Sequence, residues 1–237
     1  MKNLIRLSIL IAIVAINSQS YAQRAGIIMG LNLSNLLIKD DNTKYSQDFK
    51  MNPGVHLGII AEIPVYKFLS FETGLIVTTK GCKSVLTTSL ADTKLYDYLF
   101  YLDLPITIKG TLDLEAVKLY AAVGPYLGLG IYGFTETKIV SKSPLVKDDT
   151  STDDISWGSD KDKNDMKRFD MGLTFGGGIE LGVVPIFLGV SYDLGLINMS
   201  PKSDNGFHCN SRVLKISLGV KFGGSGNSSG HKKSRRR

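Results

Sequence analysis

Alternation with a period of two dominates this chain. From Tyr96 to Lys109, Tyr96, Tyr98, Phe100, Leu102, Leu104, Ile106 and Ile108 form one apolar face, while Asp97, Tyr101, Asp103, Thr107 and Lys109 lie on the other. A repeat of two is the signature of a strand. This strand is long, its apolar face is tipped with aromatics, and opposite charges share its polar face, as expected of a strand with lipid outside and a polar lumen inside.

The same alternation recurs in seven further segments. The first, Arg24 to Ser34, sets Ala25, Ile27, Met29, Leu31 and Leu33 against Arg24, Gly26, Gly30, Asn32 and Ser34. The next two are Val55 to Ile63, with His56 and Glu62 on the polar side, and Leu69 to Thr78, with Glu72. After the Tyr96 strand come Lys118 to Gly133, which assigns Tyr120, Tyr126 and Tyr132 to the polar side, and Arg168 to Gly182, with Asp170 and Glu180. Ile186 to Leu196 carries Ser191 and Asp193 inward, and Leu214 to Phe222 carries Lys215 and Lys221.

The connections 35–54, 80–94, 134–167 and 197–211 are long and polar, whereas Pro64 to Lys67, Gly110 to Val117 and Val183 to Pro185 are short. Strict alternation of long and short connections predicts an all-β fold, an eight-stranded antiparallel up-and-down transmembrane β-barrel occupying residues 23–222, with both termini at the short-turn mouth. A soluble eight-stranded ligand carrier needs large apolar residues inside. Here the inward face carries glycines and both signs of charge: Arg24, Glu62, Glu72, Asp97, Asp103, Lys109, Arg168, Asp170, Glu180, Asp193, Lys215 and Lys221. These twelve are expected to form a lumen network, because an unpaired charge in a narrow interior is costly.

Lys2 and Arg6 precede an apolar run from Leu7 to Ile16, and Ser20-Tyr21-Ala22 follows, which reads as a secretory signal peptide over residues 1–22. The run is too short to span a membrane as a helix. The chain's +6 charge is misleading, since two basic residues belong to the leader and five, Lys232, Lys233, Arg235, Arg236 and Arg237, to the Gly/Ser-rich tail 223–237; without those seven, −1 remains. The barrel itself therefore has no basic face for nucleic acid. The tail is expected to be disordered by composition, with an electrostatic contact to anionic lipid or a periplasmic partner as its functional alternative.

Candidate chemistry is sparse. His56 faces the lumen, where Ser191 and Asp193 are conceivable partners for a lipid-modifying reaction, but no spacing specifies a catalytic set and no cofactor is expected. Asp160-Lys-Asp162-Lys-Asn164 begins like a calcium loop, yet Asp165 stands at the glycine position and Met171 at the closing acid, so no metal site is assigned. Cys82 and Cys209 fall in loops of the same mouth and are a candidate disulfide.

Several segments in order resemble the PorT-type outer-membrane β-barrel family of Bacteroidetes: GIIMGLNLSNL, PGVHLGIIAEIPVYKFLSFETGLIVTTKG, YLDLPITIKG, YAAVGPYLGLGIYG, FGGGIELG with VSYDLGLINMS, and LKISLGVKF. The resemblance implies an integral outer-membrane protein, in contact with membrane lipid and inserted by the barrel assembly machinery through the aromatic-ended strand Leu214 to Phe222. Its long loops are then extracellular and its termini periplasmic. It further implies a non-enzymatic structural or accessory role connected with protein secretion or envelope assembly, with a secretion-system or periplasmic partner reached through the tail. A small passive pore and a lipid-modifying enzyme are the alternatives.

Overall fold

A computed structural model describes residues 23–39, 49–114, 116–142, 147–182, 184–202 and 206–223. The expected signal peptide, 1–22, and the basic tail lie outside the described residues. The strands are β1 (Arg24–Lys39), β2 (Phe49–Lys50), β3 (Asn52–Tyr66), β4 (Leu69–Lys80), β5 (Lys83–Thr87), β6 (Ala91–Leu114), β7 (Val117–Ser141), β8 (Asp149–Asp154), β9 (Phe169–Leu181), β10 (Ile186–Gly195) and β11 (His208–Phe222). Eight of them close a ring in the order β1, β3, β4, β6, β7, β9, β10, β11, each antiparallel to the next. β11 then returns to β1, from Ala25 opposite Phe222 to Lys39 opposite His208. Ring closure removes the free edges that would otherwise expose backbone groups to lipid.

The alternation fixes which way each side chain points. Leu31, Ile59, Val55 and Ile108 are 65%, 60%, 56% and 57% exposed, while Asn32, His56, Glu62 and Lys109 on the opposite face are at most 2% exposed. An apolar exterior around a charged interior is unstable in water and suited to hydrocarbon, where lipid rather than other protein covers the exposed residues. From Tyr98 to Ile108 β6 advances ten residues, which at the usual rise and a ~40° tilt spans about 25 Å of membrane.

Two expectations from sequence are corrected. Segments 80–94 and 134–167 were expected to be loops, but β6 starts at Ala91, β7 runs to Ser141, and β5 and β8 flank them, so a four-stranded sheet, edged further by the two residues of β2, projects beyond the ring. Thr93, Leu95, Thr135, Thr137 and Ile139 continue the β-prone alternation past the barrel, and the ladder between β6 and β7 continues with them. Tyr132 was expected inside with Tyr120 and Tyr126. The ladder slips between Phe100 and Tyr101, so that Tyr132 faces Phe100, Gly130 faces Tyr101, and Ile131 is extra. One added residue reverses the parity of everything after it. Tyr132 therefore joins Phe100, Phe134, Tyr98 and Tyr96 in an outward aromatic belt, with centroids 5.1 to 6.4 Å apart.

Candidate functional site

Eight strands leave a lumen only wide enough for side chains, and here ion pairs fill it in two layers. Nearer the short-turn mouth, Arg24 on β1 bonds Glu62 on β3 at 2.5 Å and Glu180 on β9 at 3.0 Å. Lys221 on β11 reaches Glu62, Glu72 and Glu180 at 2.6, 2.7 and 3.1 Å. Lys109 on β6 bonds Glu62 at 3.0 Å and also Glu180, and its ammonium sits 4.4 Å from the centre of the Tyr120 ring. Three cations thus meet three carboxylates, so the layer is formally neutral, as a desolvated site requires.

The second layer lies toward the long-loop mouth. Lys80, wholly buried, bonds Asp103 at 2.9 Å and Asp170 at 2.8 Å and lies between the rings of Tyr101 and Tyr126, at 4.7 and 4.5 Å. Tyr126 and Ser211 donate to the same Asp170 oxygen, each at 2.9 Å. Lys215 pairs with Asp193 at 2.5 Å and approaches Asp103 at 3.7 Å, and Thr174 donates to Asp193 at 2.7 Å. With two lysines against three aspartates, this layer carries a formal −1.

Ten of the twelve residues assigned to the lumen network from sequence lie in these two layers. Asp97 stands higher and accepts hydrogen bonds from Thr135 at 2.7 Å and from the Cys82 thiol at 3.4 Å. Arg168 does not face the acids: it donates to the Gly130 carbonyl at 3.1 Å and lies over Trp157, because β9 begins only at Phe169 and the preceding chain turns across the mouth. Lys80, the first residue of the segment 80–94 expected as a loop, is the last residue of β4. Its parity with Glu72, Ile76 and Thr78 on β4 marks it as inward-facing.

Between the layers lies a cavity of about 90 Å³ lined by His56, Ser217, Ile60, Ile76, Tyr120 and Phe187. His56 is bonded to neither of its conceivable partners Ser191 and Asp193 but to Asn32 and Ser217. Asn32 donates through its amide nitrogen to the carbonyls of Val55 and Thr79, at 2.9 and 3.2 Å, which turns its oxygen toward His56 Nδ1 at 2.6 Å. His56 Nδ1 must then donate, and Nε2 of the neutral ring accepts from the Ser217 hydroxyl at 2.9 Å. Ser217, His56 and Asn32 are in the order of a nucleophile, base and orienting group. Ser217 is 5% exposed, and both strands beside it are laddered along its length.

The long-loop mouth is closed by apolar packing. Leu36, Leu99, Tyr101, Met199, Cys82 and Cys209 form a buried cluster with Trp157 against it, and the Tyr101 hydroxyl donates to the Lys167 carbonyl at 3.0 Å. Tyr101 meets Trp157 edge to face at 5.6 Å. The two cysteines expected as a disulfide candidate share this cluster as free thiols, and burial raises the Cys82 thiol above its ordinary range. The Asp160 turn is closed on itself, with Asp160 accepting from the Asp162 amide at 3.1 Å and Asp165 from the Ser156 amide at 2.9 Å. Among the described residues no group of His, Cys, Asp and Glu is placed to hold a metal ion.

Three solved barrels similar to this chain are Ail, the attachment invasion locus protein of Yersinia pestis (15% identity, 84% of this chain and 99% of that one, TM-score 0.35), Neisserial surface protein A (17%, 83% and 97%, 0.37) and OprG of Pseudomonas aeruginosa (14%, 85% and 97%, 0.41). No curated protein matches. The family described as outer membrane protein beta-barrel domain matches residues 17–200, a span that holds seven of the eight ring strands. Sequence match and closed antiparallel ring agree, and the chain belongs to the outer-membrane β-barrel domain family, as an integral protein of that membrane.

Proposed function

We propose that this barrel is a non-enzymatic structural or accessory component of the outer membrane, of the PorT type, acting in protein secretion or envelope assembly through the sheet at its long-loop mouth. The observation that carries this reading is the ion-paired lumen: among the described residues, two charged layers and an apolar mouth cluster occupy the interior of the ring. What the protein offers a partner is then its projecting sheet β5-β6-β7-β8. In this reading residues 1–22 direct export, β11 with its terminal Phe222 engages the assembly machinery, the long-loop mouth faces outward and the termini lie in the periplasm, where the basic tail offers a second, electrostatic contact.

Affinity recovery from outer membranes, comparing the intact chain with a variant in which a short Gly-Ser turn replaces residues 136–153, tests the role of the sheet. Partners are lost with that segment while the barrel remains; identical recovery from both refutes the role. The Ser217–His56–Asn32 chain favours one second reading, a serine hydrolase. A fluorophosphonate probe that modifies folded wild type but not a Ser217→Ala variant would establish it in place of the first.

A further inference from the structure

The outward face of the projecting sheet carries a concentration of positive charge that the lumen chemistry does not use. Lys50 on β2 lies directly opposite Lys83 on β5, Lys83 opposite Tyr96 on β6, and Tyr96 opposite Glu136 on β7. One pair further from the ring, Lys94 on β6 lies directly opposite Lys138 on β7. Residues opposite one another in an antiparallel ladder project to the same side, as do residues two apart. All four lysines therefore share the face of Tyr96, which is continuous with the aromatic belt of Tyr98, Phe100, Tyr132 and Phe134.

Two of these lysine pairs are like charges in direct cross-strand opposition, an arrangement that destabilises a sheet unless an anion lies between them. Glu136, 3.0 Å from Lys138, and Asp154, opposite Phe134, are acids of this face, and Asp92 is paired with Lys142 at 2.5 Å, which leaves the four lysines a surplus of two positive charges. The ammonium groups of Lys83 and Lys138 both lie over the Tyr96 ring, at 4.8 and 5.4 Å. That ring draws the two cations to the upper edge of the belt. Belt aromatics sit at the level of lipid headgroups, so these ammonium groups meet the layer where lipid phosphates lie.

We infer that Lys50, Lys83, Lys94 and Lys138 form a binding site for the phosphate groups of a phosphorylated lipid in the leaflet around the long-loop mouth. The site rests on the proposed orientation of that mouth only for which leaflet it meets, since the chemistry itself requires just the belt and the lysines. An ammonium near an anionic lipid surface strengthens binding roughly fivefold, so four together give on the order of several hundredfold.

The test is binding of bisphosphorylated lipid A to the folded full chain in uncharged maltoside detergent, read by native mass spectrometry and titration. Wild type binds lipid A and does not bind its dephosphorylated form. The Lys50→Gln/Lys83→Gln/Lys94→Gln/Lys138→Gln variant binds at least 100-fold more weakly, the four single variants each lose a few-fold, and Lys→Arg at all four positions retains binding. Lys118→Gln, at the opposite mouth, changes nothing. Equal affinity of wild type and the quadruple variant, or equal binding of the dephosphorylated lipid, overturns the proposal. Detergent binding is independent of orientation, which surface labelling of a Thr152→Cys variant on intact cells reads separately, so failure of either idea is told from failure of the other.

Discussion

Replacing Lys80 by Met keeps the length of the side chain but removes the only cation among the described residues within 3 Å of both Asp103 and Asp170 in the upper lumen layer. The formal charge of that layer then moves from −1 to −2 in a buried site. Removing one partner of a buried ion pair costs about 3–5 kcal/mol, and loss of the contacts with Tyr101 and Tyr126 adds on the order of 1 kcal/mol. A destabilisation of roughly 5 kcal/mol, at a urea slope of ~2 kcal/mol per molar, lowers the unfolding midpoint by about 2.5 M. Reversible unfolding in lipid vesicles, followed through the single tryptophan, Trp157, and the heat-dependent gel mobility of folded barrels, measures the shift. Adding Asp103→Asn and Asp170→Asn to Lys80→Met should recover most of the loss, because neutral amides no longer need the ammonium. Lys118→Met, which breaks an exposed pair with Asp113 at 2.6 Å, should cost less than about 1 kcal/mol. A Lys80→Met barrel as stable as wild type, or one that the two Asn substitutions do not rescue, refutes the account of the layer.

Further outcomes follow from the same packing. A Cβ at Gly219 would stand 2.3 Å from the Phe187 ring, so Gly219→Ala should cost about 1–3 kcal/mol, and Phe187→Leu in the same chain should return part of it, read as urea midpoints. Cys82 and Cys209 should resist maleimide at pH 8 in the folded barrel and label fully in urea. Both thiols are at most 2% exposed, so an increase to pH 9 should not start labelling. Gly130→Ala would set a Cβ 2.4 Å from the Trp157 ring and should shift the tryptophan emission toward that of an exposed indole, while the barrel stays folded by gel mobility.

Most of the ring was legible because a strand with lipid on one side and a lumen on the other has to alternate. Ten inward charges declared themselves by parity alone. Features that parity does not encode were not: the slip that makes Ile131 extra and sends Tyr132 outward arises from how β6 and β7 pair, not from either strand by itself. Lys80 was hidden because a lysine beside Gly81 has the local chemistry of a loop, and only the depth of β4 in the ring makes it a buried cation. The partners of His56 were equally out of reach. Asn32 and Ser217 come from strands 24 and 161 residues away, and closing the ring between β1 and β11 is what brings them together.

Single-channel recording across planar bilayers, with the refolded full chain inserted, bears most directly on a lumen sealed by charge. Two ion-paired layers and a closed mouth predict insertion without stable conductance steps at physiological salt. Reproducible, protein-dependent steps would contradict that account and make this barrel a pore.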